Sequence, residues 1–256
     1  VMIKPSELTP HSSGLLASLL HQAFSADELC VVQGGPDVAR EFSSLPFDHL
    51  FFTGSTGVGR QVAAAAAANL TPTTLELGGK SPCIVDASAD VDAVAIKIAH
   101  GKLLNAGQTC IAPDYVLLPE GREAEFERAF TAAVARLFPT GAAHPDYASI
   151  VSDRHLARLR SLVDEAQADG ARVVEVAPSG AGHARQMAPV LVFQPATGAR
   201  LMREEIFGPV LPVLSYSQLD DAIATINAAT YPDSIKKSGT VFLHRHPGYR
   251  CPGLGT

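Results

Sequence analysis

The sequence lacks several features that would each define a class of protein. It has no run of about eighteen apolar residues, the length that a helix needs to span a bilayer. Its 20 lysines and arginines are outnumbered by 26 aspartates and glutamates, and they form no basic stripe that could follow a nucleic-acid backbone. We therefore expect a soluble protein that binds neither membrane nor nucleic acid.

Metal and redox motifs are also missing. Cys30, Cys83, Cys110 and Cys251 lie far apart and include no Cys-x-x-Cys pair, which argues against a zinc site or a thioredoxin-like motif. The 9 histidines are scattered without the spacing of metal ligands. The sequence thus predicts no metal site, and 4 cysteines in a chain of 256 residues are typical of a reducing cytoplasm.

Apolar stretches with strand character alternate with helical patterns along the chain. A strand at residues 1–3 precedes a helix around residues 13–24, and later helices are predicted at Glu123–Leu137 and between Ser152 and Gly170. This alternation predicts an α/β fold with a parallel sheet and crossover helices. With 46% hydrophobic residues, the chain can bury the core of one or two domains. Near the end, Ser217 and Asp220 predict a capping pair that opens a last helix.

A glycine-rich loop at residues 54–59 separates a strand at 50–53 from an alanine-rich helix at 58–69. A helix amino terminus presents unpaired amides and a partial positive charge, and glycines let a pyrophosphate approach them. The spacing Gly-Ser-Thr-Gly-Val-Gly differs from the Gly-x-Gly-x-x-Gly fingerprint. The pattern alone therefore leaves dinucleotide binding open.

Two passages carry candidate chemistry. Leu-Glu-Leu-Gly-Gly-Lys places Glu76 at the end of a strand, before two glycines, and Gly-Gln-Thr-Cys-Ile-Ala-Pro places Cys110 after a predicted helix end at 105–107. A thiol can attack a carbonyl carbon, and a carboxylate can activate water against the resulting thioester. A single cysteine is more often a buried hydrophobe, and a single glutamate a surface charge. Their positions at the ends of elements favour a site.

These passages resemble the glutamate and cysteine signatures of the NAD(P)-dependent aldehyde dehydrogenases. Three further motifs occur in the order typical of that family: Lys-Pro-Ser-Glu at 4–7, Phe-Thr-Gly-Ser-Thr-Gly-Val-Gly at 52–59, and Glu-Glu-Ile-Phe-Gly-Pro-Val at 204–210. The likeness covers residues 1 to about 228. Cys-Ile-Ala-Pro-Asp-Tyr at 110–115 is most similar to the branch that includes fatty, aryl and coniferyl aldehyde dehydrogenases.

The resemblance implies oxidation of an aldehyde to a carboxylate. Cys110 would attack the aldehyde, its backbone amide would donate to the oxyanion, and a hydride would pass to the nicotinamide. Glu76 would then act as the general base for the water that hydrolyses the thioester. NAD is the expected cofactor because Glu7 would repel a 2′-phosphate, with NADP as the alternative.

Cofactor contacts are implied for the amino-terminal motifs by the same resemblance. Lys4 and Glu7 would bind the adenosine ribose hydroxyls, and Ser55 would contact the pyrophosphate within the loop that contains Gly54 and Gly59. Without the resemblance, a Lys and a Glu beside a helix start would be interpreted as surface charges.

The Glu-Ile-Phe-Gly-Pro motif would complete the cofactor site. Glu205 resembles the family residue that holds the nicotinamide ribose, with Phe207 packing near the ring; the alternative for Glu205 is a surface carboxylate in a loop. Three other aromatic residues, Phe51, Phe52 and Phe193, are predicted to lie in the core.

The likeness implies a partial NAD(P)-binding domain at 1–77, an incomplete catalytic domain at 78–229 and a divergent tail at 230–256. We expect an amino-terminal portion to be missing, with part of the oligomerisation region and the asparagine that supplies the second oxyanion donor. Full-length members of the family are expected to be homo-oligomers. The tail is predicted to carry no strand of this fold, and we interpret it as a shifted-frame or recombined terminus.

Two alternatives stay open. Because loss of one oxyanion donor costs about 100-fold to 1000-fold in turnover, the chain could be an inactive remnant that acts at most as a nucleotide-binding or interaction module. It could also be an acylating relative that passes the thioester to coenzyme A, which Glu76, suited to activating water, disfavours. The sequence does not indicate which aldehyde is used.

Overall fold

The computed structural model describes residues 1–177 and 184–228, together with the backbone of Phe242–His244. The contacts within the chain divide it into two compact units, Val1–Leu77 and Gly78–Thr256. None of the helices in the described ranges is long and apolar enough to cross a membrane.

The first unit combines short parallel strand pairs with helices. Its elements in chain order are β1 (Met2–Ile3), α1 (Pro10–Ala23), β2 (Cys30–Val31), α2 (Pro36–Ser43), β3 (Leu50–Gly54), α3 (Thr56–Ala67) and β4 (Thr73–Leu77). β1 pairs with β2, and β3 pairs with β4, both in parallel. The register of the second pair sets Thr53 opposite Glu76, near the carboxyl end of β4.

Local sequence explains where these helices begin. α1 and α2 both begin at a proline, whose fixed φ suits the first position of a helix. α3 begins at Thr56, two residues before its predicted start, because Ser55 caps it. The Ser55 hydroxyl oxygen accepts the backbone N–H of Val58 at 3.4 Å, which satisfies one of the amides left free at a helix start.

The aromatic residues of β3 depart from their predicted burial. Phe51 is 65% exposed, whereas the neighbouring Leu50 is 6% exposed. Successive side chains of a strand point to opposite faces, so the face of β3 that carries Phe51 is open within the described residues. The prediction that Phe51 lies in the core is therefore wrong, and Phe52 is only partly buried. Phe193, in the second unit, is buried as predicted.

The second unit is built on one mixed sheet. Its elements in chain order are β5 (Pro82–Val85), α4 (Val91–Leu103), β6 (Tyr115–Pro119), α5 (Glu123–Leu137), α6 (Asp153–Ala168), β7 (Arg172–Glu175), β8 (Val190–Phe193), α7 (Arg200–Arg203), β9 (Val210–Tyr216), α8 (Leu219–Ala228) and β10 (Phe242–His244). The strand order is β10-β5-β6-β9-β8-β7. Neighbouring strands are parallel except for the antiparallel pair of β7 and β8. The predicted α/β fold with a parallel sheet is confirmed.

Helices cover both faces of this sheet, and β6 illustrates the arrangement. Val116 and Leu118 point to one face, where they join the large apolar cluster that includes Phe130 of α5. Leu117 points to the other face and packs in a smaller cluster with Ala222 of α8. Parallel strands with both faces covered are apolar along their whole length, which is why β5 and β6 show no alternation in the sequence.

The start of α8 differs from its prediction by one residue. The backbone N–H of Gln218 donates to the carboxylate of Asp221 at 2.9 Å, whereas the Ser217 hydroxyl donates to Glu120 at 2.8 Å. The predicted pairing of Ser217 with Asp220 is therefore wrong, because the Ser217 hydroxyl is engaged by the chain that follows β6.

Only a short part of the predicted tail lies in the described part of the chain. β10 runs parallel to β5 and sets Phe242 opposite Cys83. The prediction that the tail carries no strand of this fold is wrong for these 3 residues. The remainder of 230–256, and its interpretation as a foreign terminus, lie outside the described residues.

Candidate active site

The loop that carries Cys110 begins with a turn of unusual backbone conformation. After α4 ends at Leu103, the φ angles of Asn105, Ala106 and Gly107 are 52°, 53° and 77°. These values lie in the left-handed region, which confirms the predicted helix end at 105–107. A Cβ on Gly107 would stand 2.3 Å from the carbonyl oxygen of Gly208, so glycine is required there by space as well as by φ.

Gln108 fixes the loop to a neighbouring segment. Its side-chain amide donates to the carbonyls of Asn105 at 3.0 Å and Ser149 at 3.1 Å, and its oxygen accepts the N–H of Val151 at 2.9 Å. The side chain is buried, so these bonds are shielded from water and hold the residues just before Cys110 in place.

Cys110 itself is exposed on the second unit. It lies in a turn that is closed by a hydrogen bond from the N–H of Ala112 to the carbonyl of Thr109 at 3.2 Å. By contrast, Cys83 is buried in β5, where desolvation raises the pKa of its thiol to about 12. A thiol can act as a nucleophile only where a reactant reaches it, and Cys110 meets that requirement.

Glu205 is held against the two glycines that follow β4. A Cβ on Gly78 would stand 1.8 Å from Oε2 of Glu205, so any side chain at 78 would displace the carboxylate. The N–H of Gly79 donates to the same carboxylate, yet burial and the negative charge of Asp114 raise the pKa of Glu205 to about 7. This carboxyl group therefore titrates near neutral pH.

Helix α6 holds the backbone around Glu205 and Phe207. The Arg158 guanidinium donates to the carbonyl of Glu205 at 3.3 Å and to the carbonyl of Ile206. His155 Nε2 lies 2.7 Å from the carbonyl oxygen of Phe207, and burial lowers the pKa of this histidine, which favours a neutral ring that donates from Nε2. Phe207 has a φ of 51°, a conformation that a non-glycine residue keeps only when its surroundings enforce it.

A buried cluster of charged side chains lies behind these loops. Lys80 and Asp114 form a buried ion pair. Lys102 is also buried, and its ammonium has no hydrogen-bond partner among the described residues. Desolvation lowers the pKa of Lys102 to about 8, against the opposing effect of the Asp114 charge.

In the first unit, the two predicted ribose-binding residues contact each other. The ammonium of Lys4 donates to the carboxylate of Glu7 at 2.9 Å. This hydrogen bond is the main reason why the pKa of Glu7 is lowered, so the carboxylate is charged at neutral pH. The pair presents an anion and a cation side by side at the end of β1.

The glycine-rich loop of the first unit contains a helix cap and a close packing contact. Ser55 caps α3, and a Cβ on Gly57 would meet no atom within 4 Å, so the amino end of the helix is open. A Cβ on Gly59 would stand 2.5 Å from Cδ2 of Leu77, which shows that Gly59 lets α3 approach β4. Gly54 has the ring of Phe52 beside it, 2.6 Å from where a Cβ would lie.

The predicted site residues fall into two groups. Lys4, Glu7, the 54–59 loop and Glu76 belong to the first unit, where Glu76 is exposed. Cys110, Glu205 and Phe207 belong to the second unit, where the contact of Gly107 with Gly208 brings their two loops together.

Sequence reasoning assigned no role to several residues that shape the site. Lys80 and Asp114 stood inside the motifs but were not singled out, although Lys80 lies two residues before the apolar strand β5 and Asp114 lies directly before β6. A charge in such a position is a usable signal of a buried pair. Arg158 and His155 lie on an amphipathic helix far away in sequence, and no local pattern pointed to them.

The fold and these loops define an α/β protein with an exposed cysteine on a turn whose loop contacts the loop of a partly buried carboxylate. The model of the aldehyde dehydrogenase family matches residues 1–234, and the chain belongs to this family. The resemblance noted in the sequence is thus confirmed.

The relatives include coniferyl aldehyde dehydrogenases. A "Probable coniferyl aldehyde dehydrogenase" of Caulobacter vibrioides is 47% identical over 243 residues, covering 93% of this chain and 50% of the relative. The coniferyl aldehyde dehydrogenase of a Pseudomonas species is 46% identical over 235 residues, covering 90% of this chain and 49% of the relative. The chain therefore spans about half the length of the curated relatives that it matches.

Solved structures agree on the fold. The substrate-bound AldH of Staphylococcus aureus has a TM-score of 0.79 and 40% identity, over 88% of this chain and 49% of that one. An aldehyde dehydrogenase of Mycobacterium tuberculosis complexed with NAD+ has a TM-score of 0.82 and 29% identity, over 96% of this chain and 55% of that one. This chain has the α/β fold of aldehyde dehydrogenases.

Proposed function

We propose that this chain supplies the nucleophile and the general base for the oxidation of an aldehyde to a carboxylate. The observation that carries the proposal is the exposed thiol of Cys110 on a turn packed against the loop of Glu205 and Phe207. Family membership supports the same chemistry. The Glu-Leu-Gly-Gly-Lys motif at 76–80 resembles the glutamate signature of the family, and this likeness supports the assignment of Glu76 as the base.

In this mechanism Cys110 forms the covalent bond to substrate. Its thiolate attacks the aldehyde carbon, and the carbonyl oxygen becomes an oxyanion that accepts the backbone N–H of Cys110. After oxidation the substrate is held as a thioester. Glu76 then takes a proton from water as the water adds to the thioester carbon, and the thiolate of Cys110 leaves with release of the carboxylate product.

The residues fit a nicotinamide dinucleotide. The amino end of α3 is open above Gly57, where amides could face a pyrophosphate, and the Lys4–Glu7 pair offers polar groups for ribose hydroxyls. Glu205 would accept hydroxyls of the second ribose, with Phe207 beside it. When bound, NAD(P) supplies the hydride acceptor that aldehyde oxidation requires.

We propose NAD as the preferred cofactor. Glu7 is ionised at neutral pH, with its pKa lowered further by the hydrogen bond from Lys4, and a carboxylate at the ribose would repel the 2′-phosphate of NADP. The relatives include both an NAD+ complex from Mycobacterium tuberculosis and a dimeric NADP-preferring enzyme of Mus musculus, so NADP is the second candidate. The names of the coniferyl aldehyde dehydrogenases favour an aryl-propenal as substrate.

The test is an assay with NAD+ and coniferaldehyde, following the absorbance of the reduced cofactor. We expect turnover that is abolished in Cys110→Ser and lowered by about 100-fold or more in Glu76→Gln, because each removes a group that acts in the reaction. Cys30→Ser, a change at a partly buried thiol of the first unit, is the matched control and should keep full activity.

Other outcomes would support the alternatives. Binding of NAD+ without turnover, in a chain whose Cys110 reacts normally with iodoacetamide, would contradict the proposed oxidation and favour an inactive nucleotide-binding remnant. Strong stimulation by coenzyme A, with a thioester product, would favour the acylating alternative.

A further inference from the structure

The ion pair of Lys80 and Asp114 joins three of the motifs that define the site. Lys80 lies four residues after Glu76, and Asp114 lies four residues after Cys110. The two side chains are only 1% and 5% exposed. The N–H of Asp114 also donates to the carbonyl of Ser81 at 2.8 Å, so the segments before β5 and β6 are bonded to each other.

Both members of the pair also bind the third motif. The Lys80 ammonium donates to the carbonyls of Leu201 at 3.0 Å and Glu204 at 2.9 Å. The Asp114 carboxylate accepts the N–H of Ile206 at 3.0 Å. The backbone is therefore fixed on both sides of Glu205, by Lys80 at the preceding residue and by Asp114 at the following one.

Stability alone does not account for a buried ion pair in this place. Removing two charges from water costs free energy that their mutual attraction offsets only in part. Apolar residues of similar size often stabilise the fold as well or better. Outside the pair, the side-chain hydrogen bonds of Lys80 and Asp114 go to the backbone of Leu201, Glu204 and Ile206. The pair therefore determines where that backbone lies.

We propose that Lys80 and Asp114 are positioning residues that place the Glu205 carboxylate for the cofactor ribose and fix it relative to the Cys110 loop. The inference rests on the proposed function and extends it. Neither side chain would touch cofactor or substrate. Their effect passes through the backbone of residues 204–206 to Glu205, and a displacement of about 1 Å at such a group can cost about 100-fold in rate.

The pair is tested by removing both charges together. In the variant Lys80→Met with Asp114→Asn, no buried charge of the pair is left without its partner, so the fold is expected to survive. Glu125→Gln is the matched control, because it breaks the partly exposed ion pair of Arg122 and Glu125 at the start of α5, away from the loop.

The first measurement is hydrogen exchange in the absence of any ligand. In the double variant, we expect the amides of residues 204–207 to exchange at least about tenfold faster, because the bonds that Lys80 donates to Leu201 and Glu204 are lost and residue 114 offers Ile206 only an uncharged acceptor. Exchange within α5 should stay as in the original chain. Unchanged exchange at 204–207 would overturn the proposal, whether or not the chain oxidises aldehydes.

The second measurement separates positioning from a general loss of structure. We expect the double variant to bind NAD+ in calorimetry about tenfold to a hundredfold more weakly, while the rate at which iodoacetamide alkylates Cys110 stays within about twofold. Equal losses in the affinity for NAD+ and in the alkylation rate of Cys110 would indicate a merely structural role and overturn the proposal. Absence of NAD+ binding or turnover in the original chain would instead contradict the proposed function, and the exchange result would still decide the role of the pair.

Discussion

Gly107 and Gly208 are in backbone contact, with the carbonyl oxygen of Gly208 only 2.3 Å from the place where a Cβ on Gly107 would lie. One glycine precedes the cysteine turn and the other ends the Glu-Ile-Phe-Gly motif. Since a carbonyl oxygen of a fixed backbone cannot move aside as a flexible side chain can, the two loops can approach this closely only with glycine at 107.

Gly107→Ala should therefore be strongly destabilising. The φ of 77° costs an alanine about 1–2 kcal/mol, and the clash adds about 1–3 kcal/mol. Urea unfolding measures the sum. Gly121→Ala is the control, because its φ of 82° is similar but a Cβ there would meet no atom within 4 Å. If both variants lose the same free energy of unfolding, the loops are not in contact as described.

Gly78→Ala should leave stability nearly unchanged and impair the proposed cofactor site. The added methyl group would meet the Glu205 carboxylate, the far end of a flexible side chain that can swing away. We expect a change of less than about 1 kcal/mol in the free energy of unfolding and a loss of about tenfold or more in affinity for NAD+. Gly14→Ala, in an open position of α1, is the control and should keep its affinity for NAD+. Tight binding in both variants would count against the role of Glu205.

Glu205 should make stability depend on pH below neutrality. Its folded pKa of about 7 lies above the ordinary value of 4.5, so between these values the folded chain holds a proton that the unfolded chain has released. Its contribution to the free energy of unfolding is thus complete below about pH 4.5 and is lost as the pH rises to about 7. Unfolding curves at pH 5 and pH 8 should differ less in Glu205→Gln than in the original chain. An identical pH dependence would contradict the raised pKa.

Lys102→Met should stabilise the chain at neutral pH. The substitution removes a buried ammonium that has no hydrogen-bond partner among the described residues, at a gain of about 1–3 kcal/mol. Because the folded pKa is lowered from 10.5 to about 8, the cost of burying the charge is complete below about pH 8 and fades as the pH rises towards 10.5. The gain should shrink over that range in urea unfolding. If Lys102→Met were instead less stable than the original chain at pH 7, the positive charge of Lys102 would be stabilising the carboxylates of Asp114 and Glu205.

Much of the fold was predictable from local sequence. α5 was predicted with its observed ends, Glu123–Leu137, because its apolar residues recur at helical spacing and its first turn is acidic. The strand β7 was missed, since Arg172–Glu175 is an edge strand with exposed charged ends and little alternation. Phe51 was predicted to be buried because residue type alone carries no information on which face of β3 is covered.

The candidate site was predictable as motifs but not as an arrangement. The left-handed turn before Cys110 followed from Asn and Gly at a helix end, which favour that conformation. The partners of Lys80 could not be deduced, because its contacts at 201 and 204 are more than a hundred residues away and a lysine is seldom buried. The raised pKa of Glu205 likewise depends on burial that only the assembled loops create.

The backbone of Phe207 has a φ of 51°, a value that an aromatic residue seldom adopts. The residue at 207 must consequently meet two requirements: it must adopt a positive φ, and it must provide an aromatic ring. Glycine or asparagine would follow the path with less strain and give up the aromatic surface, whereas a β-branched residue would fit neither demand. A substitution at 207 is therefore tolerated only if the new residue can adopt this backbone conformation, whatever its side chain would contribute.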